Sequence, residues 1–273
     1  MIEVVVDGER SDLAGCLREL WAYREVVWAF AERDTRVKYK QAVLGVAWAV
    51  LQPLVFLGVF IVVFGRVAHI NTGNVPYGAL ALAALVPWFF VQSSVSFGAQ
   101  TLLRDSALVR KIYFPREAPV LGAVLSSSLD FCIGLTLVLI LEPFLGGRLS
   151  WYMFLAIPLW AILAVQVTGV VMAFSALNVY YRDIRYVIPL AMQLWMYATP
   201  VAYPLEVVQG RWRTLYVVAN PATGVIDGFH RVLARGLPPD PRLLALSTVE
   251  AVAIACVGYW LFKRMEPGFA DAV

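Results

Sequence analysis

Three pairs of aromatic and amide side chains recur at helical spacing: Trp48 with Gln52, Trp88 with Gln92, and Gln193 with Tyr197. Residues four apart share one face of a helix, so each pair sets a flat ring beside an amide, and Phe89 adds ring surface next to Trp88. A ring face stacks on the C–H side of a sugar, and an amide hydrogen-bonds hydroxyls. Such a surface suits a neutral, hydrated polymer that must slide without tight binding. For any one pair the alternative is ordinary, since Trp and Tyr also fill interfacial belts and helix packing.

Asp130 is the second chemical candidate. It sits near the middle of an apolar run and follows Ser126, Ser127 and Ser128. An ionised carboxylate in such a place costs at least roughly 2.5 kcal/mol and normally faces protein or water. The serines can hydrogen-bond it or help carry water to it. Three roles stay open: packing at an interface between chains as a hydrogen-bonded or protonated acid, a functional acid, or a proton relay.

Other chemistries find no support. The chain has no Gly-x-x-x-x-Gly-Lys-Ser/Thr sequence whose amides would cradle phosphate, so energy from ATP has to arrive through a partner. His69 and His230 have no Cys or carboxylate at ligand spacing, and no metal site is expected. Cys16, Cys132 and Cys256 lie in an interfacial helix and two apolar segments, which points to free thiols. The net charge of +3 gives no argument for nucleic acid.

The elements that position these residues are membrane elements. The 273 residues are 60% hydrophobic and only 15% charged, against about 25% charged in soluble domains, and the mean hydropathy is +0.72. Six apolar segments, at about 43–64, 76–97, 118–141, 151–178, 186–203 and 243–262, are near the roughly 20 residues needed to cross the hydrocarbon layer. The expected fold is all-α and polytopic. Ahead of these segments, residues 13–32 read as an amphipathic helix through Leu13, Leu17, Leu20, Trp21, Trp28 and Ala31, too charged to span. The basic run Arg33, Arg36, Lys38 and Lys40 behind it suits anionic headgroups. The long connection at 204–242 carries a short helical pattern over 223–234 between prolines, as re-entrant or interfacial segments do.

Three parts follow: a cytoplasmic N-terminal segment at 1–42, a six-helix transmembrane domain at 43–263 and a short cytoplasmic tail at 264–273. Of the 22 Lys and Arg residues, all but Arg66, Arg148, Arg211, Arg213, Arg231, Arg235 and Arg242 fall on the side shared with the N-terminus. By the positive-inside rule both termini are cytoplasmic. The start lacks a basic region, apolar core and small-residue cleavage site, so the N-terminus is expected to stay in the mature protein.

The stretch from Arg33 to Pro53, with Val-Leu-Gly-Val-Ala-Trp-Ala-Val-Leu-Gln-Pro at its end, resembles the entry to the first spanning helix of ABC-2 permeases that export O-antigen, teichoic acid and related glycans. Further matches are Leu85-Val-Pro-Trp-Phe-Phe90, Val109-Arg-Lys-Ile-Tyr-Phe-Pro-Arg116, Tyr180-Tyr-Arg-Asp-Ile-Arg185 and Asn220-Pro-Ala-Thr-Gly-Val-Ile-Asp-Gly-Phe229, in family order along nearly the whole chain.

The resemblance implies a transport subunit rather than an enzyme, in the cytoplasmic (inner) membrane. It implies a second copy of the chain, two copies of a nucleotide-binding ATPase that hold ATP and Mg, a polyprenol-linked glycan as cargo and contact with membrane lipids, with no nucleic acid. It also implies a coupling helix seated in the ATPase. Arg104, Asp105, Arg110, Lys111, Tyr113 and Phe114 fall in that loop, with Tyr113 and Phe114 as anchors, and Arg182, Asp183 and Arg185 form a second cytoplasmic turn. The alternatives are a solvated positive-inside loop for the first and a local helix-capping pair for the second. For the whole chain they are an ABC-2 permease for a drug or small lipid, and a membrane glycosyltransferase, which would need acidic clusters at a membrane face.

Overall fold

The computed structural model describes residues 18, 20–40, 44–111, 114–208 and 210–269, apart from the side chains of 109–111 and 211. All regular structure among them is helical. In lipid every backbone N–H and C=O must be satisfied internally, which a helix does within its own segment.

Helix α1 (Arg24–Tyr39) precedes the first long apolar element. That element joins a 3-10 turn, helix α2 (Trp48–Phe60) and a π segment (Ile61–Val67) into 23 residues. Helix α3 (Tyr77–Gly98) leads into two short helices, α4 (Thr101–Arg104) and α5 (Ser106–Lys111). Then come α6 (Glu117–Leu145), α7 (Ala156–Tyr180) and α8 (Ile184–Ala198). Helices α9 (Arg211–Ala219) and α10 (Thr223–Phe229, continued by a π segment to Arg235) precede the last helix, α11 (Pro241–Met265).

Among the described residues, five helical stretches are long and apolar enough to cross a membrane: 45–67, 77–104, 117–145, 151–180 and 241–268. The sixth segment is shorter than the apolar run at 186–203 implies. Helix α8 stops at Ala198, where Thr199 turns extended, and its 15 residues reach about 22 Å at 1.5 Å per residue. The chain nonetheless changes ends there. The Tyr180 hydroxyl donates to the Met265 carbonyl, whereas the Tyr77 hydroxyl donates to the Ala202 carbonyl, at the end where Pro76 lies against Gly146. A short helix can make this passage because Asn220 receives its end: the Asn220 amide donates to the Ala198 carbonyl at 2.7 Å and accepts from the Trp195 indole at 2.9 Å.

Helix α3 is the hub, with Ala79 through Leu85 fully buried. Helices α7 and α11 cross closely enough that a Cβ on Gly258 would lie 2.0 Å from the Gly169 carbonyl oxygen, the small-residue packing that membrane helices use. By contrast α2 with its π segment and α11 leave Val55, Val59, Val62, Val252, Val257 and Trp260 exposed, faces for lipid or another chain.

Of the amphipathic helix read over 13–32, residues 13–17 and 19 lie outside the described residues. Helix α1 runs on to Tyr39 and so takes in Arg33, Arg36 and Lys38 of the basic run, on a helix packed lengthwise on α6. A Cβ at Gly122 would meet Phe30, so only glycine admits this approach. Thr35 and Lys38 reach Ser126 and Ser127 one turn at a time. Arg33 and Lys38 therefore face protein rather than headgroups, while Trp21 and Trp28 stay exposed.

The connection at 204–242 is helical over 223–235, with Ala222–His230 buried among α3, α7 and α11. Its far end is tied to the turn between α6 and α7, where Arg148 donates its backbone N–H to the Ala234 carbonyl at 2.9 Å. Arg235 clamps Glu206 with both guanidinium arms.

Candidate functional site

At the start of the site, α1 meets the loop that follows α3. Asp34 is fully buried and accepts from Arg33 at 2.8 Å and from Arg104 at 2.9 Å on each carboxylate oxygen. Asp105, also buried, accepts from Arg33 at 2.7 Å. Burial works against the Arg33 charge, but its bonds to Asp105 and Asp34 hold the guanidinium above its ordinary value. The four side chains lock α1 to α4. Phe114, on the same loop, is buried with its ring 5.5 Å from that of Phe30.

Within the chain, Arg104, Asp105 and Phe114 of the expected coupling loop all contact α1, Arg104 keeping 30% of its side chain exposed. The side chains of Arg110 and Lys111, and Tyr113 entirely, lie outside the described residues. Arg182 and Asp183 are exposed, and Asp183 stands at the N-terminus of α8 without a side-chain capping bond.

A continuous line of contacts leads from this quartet inward. The Phe97 ring holds Arg104 on one side at 4.3 Å and Lys38 at 4.9 Å, each contact a cation–π attraction. Lys38 Nζ lies 3.1 Å from Asp130 Oδ2 and 3.1 Å from Ser127 Oγ, and Tyr39 donates its hydroxyl to the other Asp130 oxygen. Burial lowers the Lys38 ammonium below its usual value even with Asp130 opposing. Burial, and then the bond to Asp130, raises the Tyr39 phenol. The serines before Asp130 serve α1 or their own helix: Ser126 pairs with Thr35, Ser127 with Lys38 and Ser93, and Ser128 with the Val124 carbonyl.

Lys38, Tyr39 and Asp130 form one end of a cavity of about 490 Å³. Its walls are Trp48, Gln52 and Pro53 from α2, Phe89, Gln92, Ser93, Ser96 and Phe97 from α3, Gln100 beyond it, and Phe131 and Gly134 from α6. The sequence pairs separate here. Trp48 and Gln52 line the cavity from α2, and Phe89 and Gln92 line it from α3. Trp88 does not line it: the indole is fully buried, edge-on to Trp195 at 5.6 Å. One residue along a helix turns the side chain by about 100°, so Phe89, not Trp88, shares the cavity with Gln92. Gln193 and Tyr197 share an exposed face of α8 away from this cavity.

A second hollow of about 410 Å³ adjoins the first through Phe97 and Gln100. Arg104 and Arg185 line it, with Val37, Leu103 and Asn178, so the turn that carries Arg182, Asp183 and Arg185 meets the loop after α3 there. Sequence reasoning missed Asp34, Tyr39 and Phe97, and gave Lys38 to headgroups. One signal was available: Asp34 interrupts a basic run, and a lone acid among bases on a helix is well placed to answer a cation elsewhere. Among the described residues, no group of three His, Cys, Asp or Glu side chains is placed to hold a metal ion.

The family model for ABC-2 type transporters matches residues 25–233, from the first residues of α1 through α10. The chain belongs to the ABC-2 type transporter family. It is 26% identical over 260 residues to the O-antigen export system permease protein RfbA of Myxococcus xanthus, covering 94% of this chain and 98% of that one. The protein of the same description from Klebsiella pneumoniae is 25% identical over 250 residues, covering 90% and 94%. The polysialic acid transport protein KpsM of Escherichia coli is 23% identical over 238 residues, covering 86% and 91%. The transporter's cavity thus lies inside the matched region, walled by α2, α3 and α6.

Proposed function

We propose that the chain is the membrane-spanning subunit of an ATP-driven exporter that moves a lipid-linked polysaccharide across the cytoplasmic membrane. Two copies work with two copies of a separate ATPase, which holds ATP and Mg, and both termini are cytoplasmic. The observation that carries the reading is the cavity: rings of Trp48 and Phe89 set beside the amides of Gln52 and Gln92, with serine hydroxyls between them. The relatives named for O-antigen export and polysialic acid transport support a glycan as cargo.

The contacts supply a mechanism. Force applied by the ATPase to the segment 101–116 passes through the Arg33, Asp34, Arg104 and Asp105 quartet into α1. Helix α1 is packed along α6, and its end carries Lys38 and Tyr39 against Asp130 at the cavity wall. Movement of the loop then widens or narrows the space between α2, α3 and α6. The exposed faces of α2 and α11 suit the second copy and lipid. The buried helix α10, clamped by the Glu206–Arg235 pair, stands at the far end as an exit element.

The test is export in cells that make the polymer. Deleting this chain should leave lipid-linked glycan inside the cytoplasmic membrane, and the isolated chain should hydrolyse no ATP until its ATPase subunit is added. Normal surface glycan in the deletion strain would overturn the proposal.

A further inference from the structure

The cavity's wall is closed in charge. Among the described residues lining it, Lys38 is the only cation and Asp130 the only anion, and the two are bonded at 3.1 Å. The other donors of Lys38 are engaged, and each Asp130 oxygen already accepts one bond. Lys38 reaches Ser127 and Ser93, and the second Asp130 oxygen accepts from Tyr39. Arg104 and Arg185 stand outside the cavity, in the adjoining hollow, Arg104 bonded through one nitrogen to both Asp34 oxygens and Arg185 to the Tyr186 hydroxyl. What the wall offers a passing chain is ring faces, amides and hydroxyls, all neutral.

A charge that leaves water for a narrow space needs a counter-charge or it meets a desolvation cost. A chain with a carboxylate on every residue would bring one such group after another past a wall whose single ammonium is occupied. A neutral sugar chain meets amide and hydroxyl partners of its own kind and loses nothing comparable. We infer that the glycan carried by this transporter is uncharged, and that the pairing of Lys38 with Asp130 sets that preference. This rests on the export reading above. Family membership does not decide it, because the relatives include proteins named both for O-antigen and for polysialic acid, the second a polyanion.

The experiment uses the chain reconstituted with its ATPase subunit in vesicles. Two oligosaccharides of equal length are compared on the same polyprenyl diphosphate, one of neutral hexoses and one of hexuronic acids, so the carrier's own charge is constant. ATP-dependent appearance of each at the opposite leaflet is measured. The neutral compound should move at least about tenfold faster, the equivalent of one poorly compensated charge. Gln92→Lys places a free ammonium on the wall, and Asp130→Asn releases Lys38. Each should raise the acidic-to-neutral rate ratio severalfold, and Gln92 is a half-exposed wall residue whose replacement does not touch the core. Equal rates, a preference for the acid, or a ratio that neither variant changes would overturn the inference while leaving export standing. Failure of a complex that hydrolyses ATP to move either compound would overturn the export reading and this inference with it.

Discussion

Replacing Asp34 by Asn tests whether α1 carries force from the loop to the cavity. The Asp34 carboxylate is fully buried and receives both guanidinium groups, while Arg33 and Arg104 keep 34% and 30% of their side chains exposed. Removing one partner of a buried ion pair costs about 3–5 kcal/mol because the other charge is stranded. Here water reaches both arginines and Asp105 still holds Arg33, so about 2–3 kcal/mol is a better figure. At about 2–4 °C per kcal/mol this lowers Tm by roughly 5–10 °C. The variant should therefore fold at 25 °C, assemble with the ATPase and hydrolyse ATP, yet move less glycan per ATP. Arg104→Gln should do the same, and the double variant should cost less than the two together, since they share one contact. The assay is transport against hydrolysis on one vesicle preparation, with thermal melting beside it. Unchanged transport per ATP in Asp34→Asn, or strictly additive effects in the double variant, would refute the reasoning.

Three further outcomes follow from the same contacts. Trp88→Ala should cost about 3–5 kcal/mol and lower protein yield, because the indole is fully buried, whereas Trp48→Ala should keep yield and lower export; expression and export measured together separate them. The bond from Arg235 holds Glu206 down at about 2, so the clamp's contribution is whole above the ordinary carboxylate range near pH 4.5 and disappears as pH falls toward 2; melting from pH 6 to pH 3 should show a loss in the native chain that Glu206→Gln lacks. A cysteine placed at Gln209 should react with an impermeant reagent from outside and one placed at Ser106 should not, and the reverse pattern would invert the topology.

The all-helical membrane architecture was legible in composition and run length, because the hydrocarbon layer fixes both. The buried helix before the last span was legible too, as an apolar pattern between prolines. The short α8 was not, since its apolar run continues to residue 203 while Thr199 and Asn220 end the helix early through a contact 21 residues apart. In the cavity, Trp48, Gln52, Phe89 and Gln92 follow from helical spacing, but spacing alone does not say which of two adjacent aromatics turns inward, so Trp88 was grouped with them. Lys38 and Asp130 are 92 residues apart. Their pairing depends on α1 lying along α6, which Gly122 permits and no periodicity announces. The same holds for Asp34 and Arg104.

The central claim is that the space between α2, α3 and α6 is the route of a glycan. A photoreactive side chain at Gln52 or Phe89, in the chain assembled with its ATPase and turning over ATP, should become joined to a radiolabelled lipid-linked glycan, and the same group at Gln193 on the outer face of α8 should not. Labelling by bulk lipid alone at Gln52 and Phe89, under conditions where glycan is being exported, would contradict the account.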